Sequence, residues 1–92
     1  MWYLYILRCK DGYLYTGVTT DIPRRAIRHN SKKASTYIRI RTPVKLAYKE
    51  THHTKSKALI REAQIKRWSK QKKIALINHN SSQLIALSKS RD

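Results

Sequence analysis

The stretch Trp2-Tyr3-Leu4-Tyr5-Ile6-Leu7-Arg8-Cys9-Lys10-Asp11-Gly12-Tyr13-Leu14-Tyr15-Thr16-Gly17-Val18-Thr19 decides the fold. Two runs of aromatic and branched residues, Trp2 to Arg8 and Tyr13 to Thr19, read as strands. Lys10-Asp11-Gly12 between them reads as a hairpin turn. Loop length sets which side chains share a face. A two-residue Asp-Gly loop pairs Lys10 with Tyr13 and puts Tyr5 and Tyr15 on opposite faces. A three-residue loop with Gly12 left-handed pairs Cys9 with Tyr13 instead. Tyr3, Tyr5, Leu7, Tyr13, Tyr15 and Gly17 then share one face, and Leu4, Ile6, Leu14 and Val18 share the other. The second register is favoured, because it separates a tyrosine-rich face from a wholly apolar one.

Downstream, Asp21 reads as a helix N-cap with Pro23 in the first turn, opening a helix to about Asn30. Arg25 and His29 are one turn apart on it, with Ile22 beside them. Ser31 to Thr42 lacks periodicity and reads as a basic loop that Pro43 ends. Val44, Leu46 and Tyr48 alternate with Lys45, Ala47 and Lys49, which predicts a third strand to about Thr51. Thr54 to about Lys70 contains no Gly or Pro and reads as the longest helix, with Ala58, Leu59 and Ile65 inward. Glu62 falls in the middle of that arc, out of pattern for a carboxylate, since an unpaired buried charge is costly. Gln71 to Ile77 continues that helix or forms a short one of its own. Ser81 or Ser82 reads as the cap of a last helical stretch through Leu87.

The chain has 92 residues and a net charge of +16. That length makes one domain with one modest core. Seventeen basic residues lie between Arg24 and Lys73, against Glu50 and Glu62 alone. The charge therefore belongs to the folded body, where it attracts a phosphate backbone. Solubility alone needs a net charge of only about 2–8 in a small domain. The longest apolar run, Trp2 to Leu7, is far short of the ~20 residues of a membrane span. The first residues show no leader-like pattern, and the single cysteine, Cys9, supports neither an internal disulfide nor a cysteine zinc site. A cytoplasmic location is expected. His52, His53 and His79 have no metal-site spacing. Trp68 reads as a core anchor.

Tyr3-Leu4-Tyr5, then Tyr15-Thr16-Gly17, then Arg25 ten residues after Tyr15, resembles the GIY-YIG nuclease superfamily, and within it the small stand-alone bacterial members. The first tripeptide lacks the family's glycine, and Thr16 is the middle residue of the second. The resemblance runs from Trp2 to about Ile77. It implies an α+β domain, a three-stranded antiparallel sheet flanked by helices, over residues 1–80, with 81–92 as a helical or flexible tail. It further implies a metal-dependent endonuclease acting on branched or otherwise structured DNA, in repair or recombination. RNA is the other polyanion considered, no membrane is expected, and a protein partner is available for substrate choice. By the same resemblance Tyr5, Tyr15, Arg25 and His29 are catalytic, and Glu62 holds Mg²⁺ or Mn²⁺. Asn78 matches a late family asparagine only loosely.

The chemistry suits those residue types. Phosphodiester hydrolysis needs an activated water and stabilisation of charge on phosphorus and on the leaving oxygen. One carboxylate suffices for Mg²⁺, because waters and phosphate complete its shell. Arg25 offers a fixed charged fork to phosphate oxygens. Tyr15 is the residue expected to help deprotonate the water, with Tyr5 and His29 orienting it by hydrogen bonds and His29 as the alternative base. Gly17 is expected to let the backbone approach the phosphate. Lys32, Lys33, Arg39, Arg41, Lys45, Lys66, Arg67 and Lys70 are expected as backbone-phosphate contacts. The competing bland readings are tyrosines that merely pack and a Glu62 that merely pairs with Arg61 or Lys66. A binding module with the fold but no turnover is the alternative function.

Overall fold

The computed structural model describes residues 1–30 and 43–79. Strands β1 (Trp2–Cys9), β2 (Leu14–Thr19) and β3 (Val44–His52) form one antiparallel sheet in the order β2-β1-β3. Helices α1 (Ile22–His29), α2 (Lys55–Lys66) and α3 (Lys70–Ile77) complete the described residues.

The hairpin adopts the three-residue loop. Cys9 N–H donates to the Tyr13 carbonyl at 2.8 Å, and Gly12 has φ +87°, a left-handed conformation that suits glycine. Asp11 Oδ1 accepts from the Tyr13 N–H at 3.0 Å and locks the turn. Tyr5 therefore pairs with Gly17 and Leu7 with Tyr15. The sheet is covered on both faces. Leu4, Ile6 and Leu14 pack with Ile65 of α2 and Leu76 of α3. Tyr5, Leu7 and Cys9 pack with Ile22 of α1 and with Val44, flanked by Tyr3 and Tyr15.

Three local expectations need correction. Val44, Leu46 and Tyr48 do not share a face. Leu46 pairs with Leu7 but Tyr48 pairs with Ile6, so Ala47 is an extra residue, a β-bulge. The bulge sends Tyr48 to the α2 side while Val44 stays on the α1 side, and Leu46 is left 44% exposed. The long helix also ends early. Arg67 caps α2, and the Ser69 hydroxyl accepts from the Lys72 N–H at 3.2 Å to open α3 as a separate helix. Finally, Leu59 is not inward. Ala58 and Ile65 form the buried line of α2, and at about 100° per residue Arg61 and Glu62 flank that line on opposite sides, with Leu59 further round at 42% exposure.

Capping and bridging fix the helices. Asp21 accepts from the Arg24 N–H at 3.1 Å, and Thr54 accepts from the Lys57 N–H at 3.2 Å. Asn30, at the end of α1, acts as a strand partner for Val44: its Oδ1 accepts from the Val44 N–H at 2.8 Å, and its Nδ2 donates back to the Val44 carbonyl at 3.3 Å. This pair holds α1 across the tyrosine face. The expected loop 31–42, and with it Lys32, Lys33, Arg39 and Arg41, lies outside the described residues, as does the expected last helical stretch from Ser81 or Ser82.

Candidate nuclease site

The register sets the site. Because Tyr5 pairs with Gly17, its ring lies flat across the position where any other residue would carry a side chain. A Cβ on Gly17 would come within 2.6 Å of the Tyr5 Cζ. Glycine is thus required to seat the phenol. Close backbone approach to a phosphate was the reason expected for it, and the occupied space supplies another. Tyr15 stands beside Tyr5, with ring centroids 6.4 Å apart and planes tilted by 35°.

One cavity of about 260 Å³ gathers Tyr5, Tyr15, Gly17, Arg25 and Glu62, together with Trp2, Val18, Lys55 and Leu59. It lies at the β2 edge of the sheet, where α1 supplies Arg25 from one face and α2 supplies Glu62 from the other. The tyrosine face, α1 and Glu62 thus meet at one cavity, as the sequence reading expects, with Arg25 and Lys55 as its cations. His29 ends α1, one turn after Arg25; its side chain lies outside the described residues. Of the remaining basic residues, Lys66 approaches the cavity through Glu62, its Nζ 3.6 Å from Oε2. Lys45 instead lines a cavity on the β3 edge with Arg8 and Lys10. Lys70 lies beside Gly12 at the hairpin turn, and Arg67 is the exposed cap of α2.

Burial dominates the electrostatics of the Tyr5 phenol. Burial, then the neighbouring Tyr15, push the Tyr5 hydroxyl far above the ordinary phenol value; Arg25 pulls it down without offsetting them, and Glu62 adds to the rise. Tyr5 therefore keeps its proton at physiological pH and can orient a group but not accept a proton. Glu62 is neither in the core nor in bulk solvent: its side chain is about one-fifth exposed. It is the one carboxylate lining the cavity, and no cluster of three His, Cys, Asp or Glu occurs among the described residues. That donor set fits Mg²⁺ or Mn²⁺, which keep several waters and accept one protein carboxylate.

The sequence reading missed two features here. Arg24, Arg25 and Arg28 line a second cavity of about 170 Å³ with Thr19, Thr20 and Asp21. Arg25 borders both cavities. The i, i+4 spacing of Arg24 and Arg28 was available as a signal. The other is Glu50, which accepts from Tyr48 Oη at 2.6 Å, His52 Nε2 at 2.9 Å and Arg61 Nε at 2.9 Å. Burial alone would raise its carboxyl, but these donors outweigh burial and hold it below the usual carboxylate range. Of the two pairings in the competing reading of Glu62, the structure has the one with Lys66 at 3.6 Å, while Arg61 serves Glu50 instead. His52 is engaged in the same way. Trp68 is a core anchor of an unexpected kind, with Lys72 Nζ 4.2 Å and Arg61 5.1 Å from its ring. Asn78 caps the end of α3.

A GIY-YIG catalytic domain model matches residues 1–75 of this chain. The chain belongs to the GIY-YIG family. Among curated relatives it is 53% identical over 76 residues to a UPF0213 protein of Staphylococcus saprophyticus, spanning 83% of this chain and 93% of that one. It is 48% identical over 75 residues to a UPF0213 protein of Staphylococcus epidermidis, spanning 82% and 92%. Solution NMR structures of the UPF0213 protein from Bacillus halodurans (TM-score 0.55, 42% identity) and of a protein from Enterococcus faecalis (TM-score 0.57, 37% identity) each cover 85% of this chain and 84% of their own. The chain is thus similar to small proteins of nearly its own length, and the GIY-YIG fold is shared along most of it. No helix among the described residues is long and apolar enough to cross a membrane.

Proposed function

We propose that this GIY-YIG protein is a metal-dependent endonuclease that hydrolyses phosphodiester bonds in branched or otherwise structured DNA, serving repair or recombination. Residues 1–80 form the nuclease domain, 81–92 are an appended tail, and the cytoplasm is the place of action. The observation that carries the proposal is the single cavity lined by two phenols, a guanidinium and one carboxylate.

The scissile phosphate sits between Arg25 and Glu62. Arg25 binds its non-bridging oxygens and gains strength as charge grows on them. Tyr5, always protonated, donates a hydrogen bond that orients the attacking water or Tyr15. The water oxygen forms a bond to phosphorus, and the bond to the 3′ oxygen breaks. The water's proton moves to Tyr15 Oη as the phenol's own proton passes to solvent, with His29 as the alternative acceptor. Glu62 would hold the divalent ion, which would supply Lewis-acid stabilisation of the leaving oxygen. Arg24, Arg28, Lys66, Arg67, Lys70 and Lys45, with Lys32, Lys33, Arg39 and Arg41, add sequence-independent backbone affinity. A protein partner supplies further substrate choice.

The test is a gel assay of purified protein with Mg²⁺ or Mn²⁺ on single-stranded, duplex and branched DNA. Cleavage lost in Glu62→Ala, Arg25→Ala and Tyr15→Phe is the expected result. Cleavage at the wild-type rate in those variants refutes the assignment. Salt-sensitive DNA binding without cleavage, unchanged in Glu62→Ala, identifies a binding module instead.

A further inference from the structure

On the edge of the sheet opposite the nuclease cavity, β3 carries a groove that the nuclease chemistry does not use. The order β2-β1-β3 makes β3 an outer strand among the described residues. Asn30 meets its outer edge at Val44, with a side chain in place of a neighbouring strand. Two cavities follow the strand from there. One, of about 300 Å³, has Cys9 and Pro43 in its wall and Arg8, Lys10 and Lys45 as its cations. The other, of about 250 Å³, takes in Tyr48, Lys49 and His79. Leu46 and the bulge residue Ala47 border both, so the two run together into one groove. Lysines and a bulge on an edge strand are ordinary means of keeping sheets from pairing edge to edge. An exposed leucine in their midst works against that end. Arg8, Lys10, Lys45 and Lys49 around Leu46 are exposed as well, and none of them enters an ion pair among the described residues.

We infer that this groove docks an acidic, extended segment of a partner protein, whose apolar side chains cover Leu46 and Ala47 and whose carboxylates meet Arg8, Lys10, Lys45 and Lys49. An apolar centre inside a charged rim is the anatomy of a protein interface. The rim charges are all positive, so the partner's are negative. A second copy of this chain is disfavoured. Two-fold pairing would set this edge against itself and bring the same cations face to face, in a chain of net charge +16. DNA satisfies the cations, but its backbone sets phosphates and sugars, not an apolar side chain, against Leu46. Length fits a peptide: Pro43 to Lys49 spans ~20 Å of extended strand, the reach of a six- or seven-residue segment. Lys45 then meets a carboxylate where the nuclease reading gives it a phosphate. The docking takes no residue of the nuclease cavity and rests on none of its chemistry, so a partner held here leaves the β2 edge open.

The experiment titrates the ¹⁵N-labelled full chain with capped peptides of about seven residues and follows its amide resonances. One peptide alternates glutamate with valine, a second glutamate with serine, and a third glutamine with valine. The first is expected to shift the amides of Arg8 to Lys10 and of Lys45 to Lys49. Leu46→Ser is expected to weaken its binding by roughly 3- to 10-fold, the value of losing cover over about half a leucine, and the glutamate–serine peptide to bind wild type more weakly by a similar factor. The glutamine–valine peptide and Lys45→Glu each lose affinity through charge, a loss that shrinks in high salt. Both substituted positions are exposed, and the spectrum itself reports that each variant is folded. Equal binding of the glutamate–valine and glutamate–serine peptides, or no shifts on β3, overturns the proposal. A short DNA duplex in EDTA that shifts the β3 amides more than those of Arg24, Arg25 and Arg28 makes this edge a nucleic-acid surface, and β3 shifts that change on dilution of the chain alone make it an interface between copies; either result also overturns the proposal. The nuclease reading survives each of these failures, because it stands on the cleavage assay.

Discussion

Gly17→Ala is expected to destabilise the domain through one side chain, Tyr5. The new methyl carbon would lie 2.6 Å from Cζ and 3.1 Å from Cε1 of the ring. Carbon pairs rest at about 3.5–4.0 Å, so ring or strand must yield by about 1 Å. Tyr5 cannot yield freely, because it is 1% exposed and packed among Leu7, Cys9, Ile22 and Val44. Overpacking of this kind costs about 1–3 kcal/mol. For a domain of this size each kcal/mol lowers Tm by roughly 4–8 °C. A double-mutant cycle in urea isolates the contact. Tyr5→Ala alone removes a buried aromatic at about 3–5 kcal/mol, and the methyl group added by Gly17→Ala then occupies emptied space. The double variant should be no less stable than Tyr5→Ala, a coupling of about 1–3 kcal/mol. An unchanged urea midpoint for Gly17→Ala, or strict additivity in the cycle, refutes this account of why glycine stands there. In the proposed nuclease the displaced phenol also lowers cleavage by up to about 100-fold in molecules that remain folded, the scale of penalty an ångström of misplacement can carry.

Four further outcomes are expected. Glu50 binds its proton less readily when folded, so its stabilisation is present at neutral pH and is lost as pH falls through its lowered folded value; Glu50→Gln should flatten that acid limb in urea midpoints measured against pH. Tyr48, which donates to it, is pushed up to about 12 by burial and by that hydrogen bond, so its contribution is present below the ordinary phenol value of 10.0 and is lost between there and about 12, a limb that Tyr48→Phe should remove. Asn30→Ala, which deletes both hydrogen bonds to Val44, should cost about 1–3 kcal/mol by urea titration, and Asn30→Asp, which keeps only the acceptor, should recover part of it. Arg24→Ala and Arg28→Ala should each reduce the slope of log affinity against log salt by roughly 0.7–0.9 for DNA, whereas loss of cleavage with no change in slope would remove them from the backbone track.

The hairpin was legible because two local signals agree. Asp11-Gly12 specifies the turn, and the alternation of Leu4, Ile6 and Leu14 against Tyr5, Leu7 and Tyr15 specifies the faces, so a slip of one residue would have exposed an entire core. Pairing Tyr5 with Gly17 and placing Tyr15 beside it followed directly. The bulge at Ala47 was not legible, since an extra residue shows only in the partner strand and leaves the alternation of Val44, Leu46 and Tyr48 intact in the sequence. The break after Lys66 was hidden for a similar reason: no Gly or Pro marks it, and Ser69 is one serine among several. Trp68 could not be assigned its partners from periodicity, because Lys72 comes from the next helix. Arg25 and Glu62 were placed in the site by family resemblance; by composition Arg25 is one of 21 bases, while Glu62 is one of five acids and stood out only by its place on the helix arc.

Between Arg24 and Lys73 the chain has only two carboxylates, and the fold gives them opposite surroundings. Glu50 accepts from Tyr48, His52 and Arg61 and is thereby saturated. It ties β3 to α2 through Arg61, on the opposite flank of the buried Ala58–Ile65 line from Glu62, and so sets the roll of the helix that carries Glu62. Glu62 is met by Lys66 at 3.6 Å, well beyond the ~2.7–2.9 Å of a strong charge-assisted bond. Lys66 is 55% exposed, and an exposed i, i+4 pair of this kind contributes well under ~1 kcal/mol. A multivalent cation arriving with a phosphate meets little resistance from that lysine. The acid on β3 is therefore held fast and orients the helix, while the acid on that helix keeps only a weak ion pair at the cavity, the arrangement that the proposed single-carboxylate metal site would need.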